Sequence, residues 1–143
     1  MHLMKRSVAA AALAAAVLTG CKKEQPPPPP VAEAIPTPEL RYVTLGSAIG
    51  ADKLVTAAKE AFGVRDTIYA SVSTTGAGEN VKLKALWTFG AETVRADSLI
   101  LNLVGATVSE FHITRPRAWP VGAYRVSVTL NDGAPQTRDF TVR

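Results

Sequence analysis

The sequence predicts an all-β domain, an antiparallel β-sandwich of about seven strands, carried behind a leader and a proline-rich linker. Three observations predict it. Apolar and polar residues alternate at period two through residues 81–89 and again through residues 124–130, as half-buried strands require. Turn residues punctuate these runs, with Thr75-Gly76-Ala77-Gly78 before the first and Asn131-Asp132-Gly133 after the second. Ahead of both, the segment 24–39 is dominated by proline and holds little apolar surface to bury.

The first element is the leader, residues 1–20. Lys5 and Arg6 precede residues 8–17, which carry seven alanines and no charge. A membrane-spanning helix needs roughly 17–25 apolar residues, and Gly20, Lys22 and Lys23 interrupt this stretch sooner. It therefore reads as the apolar core of an export signal. Cys21 is the single cysteine of the chain, and an unpaired thiol is an anomaly in an exported protein.

The run Leu18-Thr19-Gly20-Cys21, behind a basic N-terminus and ahead of a linker, resembles the signal peptide and lipobox of bacterial lipoprotein precursors. That resemblance implies cleavage before Cys21, a diacylglyceryl group on its thiol and a third acyl chain on its amine. The anomaly of the thiol then disappears. Two lipid signals suffice for stable anchoring, so three chains imply permanent attachment. Lys22 stands where inner-membrane lipoproteins usually carry Asp, which implies delivery to the outer membrane, facing the periplasm. Apart from this covalent lipid the sequence implies no cofactor and no metal.

The second element, residues 21–40, is a tether. Residues 26–30 are an unbroken proline run, followed by Pro36 and Pro38. Proline favours polyproline II, so residues 22–40 would extend up to roughly 60 Å and hold the next domain clear of the lipid.

The third element, residues 41–143, is long enough for one domain with its own core. Its first strand is expected at residues 41–46. Residues 52–63 admit two readings: a short helix with Leu54, Ala58 and Ala61 or Phe62 on one face and Gly63 as its cap, or an edge strand whose second part is residues 54–56. Further strands are expected at 67–73, 81–89, 99–103, around 111–113, at 124–130 and at 140–142. Between the last two, Asp132-Gly133 supplies the positive φ angles of a tight hairpin.

The number and spacing of these strands describe an immunoglobulin-like sandwich. Trp87 stands on the strand where such folds place a core tryptophan, and Tyr124 opens the penultimate strand, where a tyrosine corner lies. The stretch Asp66-Thr67-Ile68-Tyr69-Ala70-Ser71-Val72, then Trp87, then Trp119-Pro120-Val121-Gly122-Ala123-Tyr124-Arg125-Val126 resembles a group of small proteobacterial envelope proteins with Ig-like domains. The resemblance covers residues 60–143 and implies the fold. It brings no activity with it.

Charge and chemistry narrow the function. Removing residues 1–20 takes away Lys5 and Arg6 and lowers the formal charge from +4 to +2, too mild for a nucleic-acid binder. Export argues against one as well. Once the leader is gone His112 is the single histidine, and no phosphate loop, zinc-protease or serine-hydrolase motif occurs. Ser127, His112 and Asp139 are the residue types of a triad, with nothing in their spacing that joins them. The chain is expected to be a non-enzymatic, monomeric module that binds an envelope protein or polymer.

Two candidate surfaces follow. Lys82, Lys84 and Arg125 should point outward from neighbouring strands as a basic face, partly neutralised by Asp139. Arg115-Pro116-Arg117-Ala118-Trp119-Pro120 is a rigid corner in which Arg115, Arg117 and Trp119 are candidate binding anchors, although Trp119 also suits a structural cap. An alternative reading comes from chagasin-like cysteine protease inhibitors, Ig-like proteins that insert loops bearing Asn-Pro-Thr-Thr-Gly and Arg-Pro-Trp. Thr74-Thr75-Gly76 and Arg115 to Trp119 resemble two of those loops in the matching order, without the Asn-Pro and with two extra residues before the tryptophan.

Overall fold

A computed structural model describes residue 20, residues 25–29 and residues 34–143. Cys21, the leader before residue 20 and Lys22 lie outside the described residues. Eight strands form in chain order: β1 (Glu39–Gly46), β2 (Ala61–Phe62), β3 (Ile68–Thr75), β4 (Ala77–Phe89), β5 (Glu92–Val104), β6 (Thr107–Ile113), β7 (Gly122–Leu130) and β8 (Gln136–Val142). They make a three-stranded sheet, β1-β3-β6, and a five-stranded sheet, β2-β8-β7-β4-β5. All pairings are antiparallel except β2 with β8. This is an Ig-like arrangement in which β1, β3 and β6 take the places of strands A, B and E, with no D strand among the described residues and with β5 added beside β4.

The two alternating runs behave as their pattern requires. Val81, Leu83, Ala85 and Trp87 of β4, with Tyr124, Val126, Val128 and Leu130 of β7, face inward and are buried. Val43, Leu45, Ile68, Ala70 and Val72 of the other sheet complete the core. Trp87 lies at its centre with no exposed surface, edge-on to Phe140 at 6.0 Å. Its indole Nε1 has no hydrogen-bond partner, a cost of about 1–3 kcal/mol that the large buried ring offsets.

Residues 52–63 correct the sequence reading. No helix occurs among the described residues. A segment of this length is a marginal helix in isolation, and burial of Phe62 decides its conformation. Phe62 packs edge-on against Phe140 at 5.6 Å while Ala61 and Phe62 pair with Thr141 and Val142 as β2. The edge-strand reading is nearer, but its second part lies at β2. Val55 makes only an isolated bridge to Ile49.

Several boundaries also move, β6 beginning at Thr107 and β8 at Gln136, ahead of the residues expected for them. β5 is thirteen residues long rather than the short strand expected at 99–103. β1 begins at Glu39, and just before it Pro36 already accepts a hydrogen bond from Ala77 N at 2.8 Å. The β7–β8 turn places Asn131 (φ 47°) and Asp132 (φ 59°) at the left-handed positions, closed by Gly133 N donating to Leu130 O at 2.9 Å. Asn-Asp, not Asp-Gly, therefore occupies the turn centre.

Candidate binding surfaces

The corner of residues 114–121 joins β6 to β7 across one end of the sandwich. Its shape is fixed from inside. Tyr124 Oη donates to Pro120 O at 2.8 Å, the hydrogen bond of a tyrosine corner. Trp119 N donates to Val64 O at 2.8 Å, and its indole Nε1 donates to Asp66 O at 2.9 Å. The rings continue inward, with Trp119 edge-on to Tyr124 at 6.0 Å and Tyr124 stacked on Phe140 at 5.3 Å. Burial raises the Tyr124 hydroxyl above the usual tyrosine range.

This arrangement corrects one candidate. Trp119 is only 3% exposed and its indole donor is used internally, so the ring caps the sandwich and leaves only an edge at the wall of a cleft. Arg115 and Arg117 remain exposed. The Arg115 guanidinium lies over the Trp119 ring at 5.4 Å, a contact that orients it while leaving its donors outward. Neither arginine forms an ion pair among the described residues. Beside them opens a cleft of about 410 Å³ between the corner and the β4–β5 turn. Phe89, which stacks obliquely on Tyr124 at 4.6 Å, forms its floor, and Glu92 and Arg95 form the far wall.

The basic face is largely cancelled. Lys82, Lys84 and Arg125 do point outward. Arg125 grips Asp139 through two bonds, Nε to Oδ1 at 2.6 Å and Nη2 to Oδ2 at 3.0 Å, and Lys84 pairs with Asp132. Each arrangement holds its carboxyl below the usual range, through the hydrogen bond from Arg125 on Asp139 and from Lys84 on Asp132. Lys82 alone of the three has no ion partner among the described residues. Arg125 faces Thr88 and Lys84 faces Thr129, so they stand about 13 Å apart along the strands. The broad groove over this face is lined by Arg125 paired with Asp139, by Lys59 paired with Asp66, and by Glu60 and Arg143.

Two further constellations are taken apart by the topology. His112 projects from the outer face of the three-stranded sheet, whereas Ser127 and Asp139 project from the outer face of the five-stranded one. No triad can assemble across the core. The inhibitor alternative fails for a similar reason. In the β3–β6 pairing Ile68 faces Ile113 and Thr74 faces Thr107, so residues 74–76 and the corner after Ile113 lie at opposite ends, about 20 Å apart. Thr74 is moreover fully buried, so these segments cannot enter one protease cleft together. Among the described residues no group of three or more His, Cys, Asp and Glu side chains could hold a metal ion.

Sequence reasoning passed over the cleft wall at Phe89, Glu92 and Arg95, and Asp66 behind the corner. The turn signal of Thr88 to Ala91, which ends the alternation of β4, marked where that wall would lie. Asp66 opened the stretch that carries the resemblance, but nothing local marked its contact with Trp119, which spans 53 residues.

No protein family's sequence profile and no curated protein matches this chain. Solved structures do. An immunoglobulin-like protein from Pseudomonas aeruginosa superposes with a TM-score of 0.54 at 15% identity, over 77% of this chain and 99% of that one. A β-glucosidase from Erythrobacter marinus superposes with a TM-score of 0.52 at 10% identity, over 76% of this chain. The chain spans only 16% of that enzyme's length. These likenesses establish the fold: the molecule is an Ig-like β-sandwich.

Proposed function

We propose that this chain is a lipid-anchored Ig-like module of the bacterial outer membrane, facing the periplasm, that binds an anionic protein or polymer partner through Arg115 and Arg117. The observation that carries the binding site is the contrast between the two cationic surfaces. On the sheet face two of three cations are already neutralised by Asp132 and Asp139. On the corner both guanidiniums are exposed and unpaired among the described residues, on a backbone locked by Trp119 and Tyr124. A guanidinium suits planar carboxylate or phosphate groups bidentately, and a rigid mount lowers the ordering cost of binding. The anchor rests on the lipobox ending at Cys21 and the signal ahead of it.

Both parts are testable in the full chain. Crosslinked pull-down from envelope fractions should lose its specific partner, by about tenfold or more, when Arg115 and Arg117 are both changed to Ala. Changing Lys82 and Lys84 to Ala should leave capture close to wild type. Equal capture by the corner variant would exclude this site. For the anchor, Cys21→Ala should move the chain from membrane to soluble fractions, and retention of that variant in the membrane would refute lipidation.

A further inference from the structure

The two sheets end in four strand edges, and three of them are protected. β1 has its carbonyls taken by side chains of β8: Gln136 Nε2 donates to Leu40 O at 2.9 Å and Arg138 Nε to Val43 O at 2.8 Å. β2 is two residues long. β6 carries the polar Glu110 and His112 outward within its seven residues. Charge, brevity and covering groups are the usual devices against edge-to-edge pairing.

β5 has none of them over its second half. It is thirteen residues long and ends its sheet with no strand on its outer edge among the described residues. Ser98-Leu99-Ile100-Leu101-Asn102-Leu103-Val104 contains no charge, no proline and no glycine. Leu99 is 37%, Ile100 61% and Val104 90% exposed. All charges of β5, on Glu92, Arg95 and Asp97, lie in its first half, where Arg95 and Asp97 pair with each other at 2.7 Å.

We infer that β5 pairs edge to edge with β5 of a second copy of this chain, antiparallel about a twofold axis at Leu101. The charge distribution selects that occupant and register. An antiparallel pair centred on Leu101 lays the uncharged block on itself, with Leu99 opposite Leu103, Ile100 opposite Asn102 and Ser98 opposite Val104. Asp97, Arg95 and Glu92 all fall beyond the overlap, past the Gly105 turn of the partner. No charge is desolvated and no like charges face each other. The contact is isologous, so it closes at two copies and uses up both unprotected edges, joining two five-stranded sheets into one of ten. This departs from the monomer expected from sequence and is independent of the corner and of the anchor. A seven-residue edge contact is small, so the dimer is reversible, and trapping it is the suitable readout.

The test is disulfide trapping of the full chain in envelopes under mild oxidation. Leu101→Cys, which faces itself across the axis, should give a dimer band several-fold stronger than wild type, whose one cysteine is Cys21, and than Thr137→Cys at mid-sheet. Ser98→Cys combined with Val104→Cys, both at exposed positions, should give the same band and covers a folding failure of the first variant. Adding Ile100→Lys to either should reduce the band at least tenfold. Bands no stronger than Thr137→Cys would overturn the inference. So would a ladder beyond the dimer, which means open aggregation, or a crosslink to a protein of different mass, which means another chain occupies the edge.

Discussion

Asp66 does at residue scale what no other side chain of the corner does. Its carboxylate accepts from Lys59 Nζ at 2.8 Å and from Gly63 N at 2.9 Å, while its carbonyl receives the Trp119 indole. The Lys59 hydrogen bond, then that from Gly63, hold its carboxyl below the usual carboxylate range. A carboxyl depressed on folding contributes stability that is present above its unfolded pKa and is lost as pH falls through the folded one. The contribution therefore fades below about pH 4. Asp66→Asn should lower stability at pH 7 by about 1 kcal/mol, and urea titrations at pH 7 and pH 2.5 should show that difference shrinking in acid. A difference independent of pH would mean the carboxylate charge is irrelevant. Tyr124→Phe keeps the ring stack and loses only the bond to Pro120 O, so it should cost about 1 kcal/mol in the same titration. Tyr124 was legible from its place before Val126. Asp66 was not, because its function depends on a chain crossing that no local pattern records.

At the scale of elements, the strands that read cleanly are those whose two faces meet core and water. β4 and β7 alternate because each has a fully covered inner face. β8 reads only at Phe140 and Val142, since Gln136 and Arg138 share that inner parity yet reach sideways to the β1 carbonyls. β5 hides its length for the opposite reason: as an overhanging edge strand it carries apolar residues on both faces, and Arg95 and Asp97 on the inner one. Residues 52–63 show local propensity overruled by burial of a single ring, Phe62. The β3–β4 turn offers a sharp test of how such connections are specified. Gly76 has φ +102°, and a Cβ there would sit 2.3 Å from Thr37 O. Gly76→Ala combines a disfavoured backbone conformation with a clash against main chain, so it should destabilise the domain by about 2 kcal/mol or more. A loss under 0.5 kcal/mol in urea unfolding would show that residues 37–38 give way freely.

For the whole molecule, the question is where the tether stops and the sandwich starts. The proline pattern places the boundary at residue 40, because Pro36 and Pro38 look like the end of the linker. The hydrogen bonds place it earlier. Ala77 N donates to Pro36 O at 2.8 Å, Glu39 opens β1 opposite Thr75, Leu40 packs on the core, and Gln136 holds the Leu40 carbonyl. Proline suits this position because an edge strand tolerates its missing donor. A chain starting at residue 34 should therefore fold in one cooperative transition, and a chain starting at residue 41 should be less stable by about 3 kcal/mol, from the lost hydrogen bonds to Pro36 O and Leu40 O and the partial burial of Leu40. Urea midpoints of the two chains measure the difference directly. If they coincide, residues 34–40 belong to the tether and the clamp on Gly76 contributes nothing. If they differ as expected, the last prolines of the spacer are docked on the sandwich, and pulling on the tether loads β1 through its first residues. The load then meets the edge that Gln136 and Arg138 fasten to β8, the place in the fold where the two sheets are tied together by side chains rather than by core packing alone.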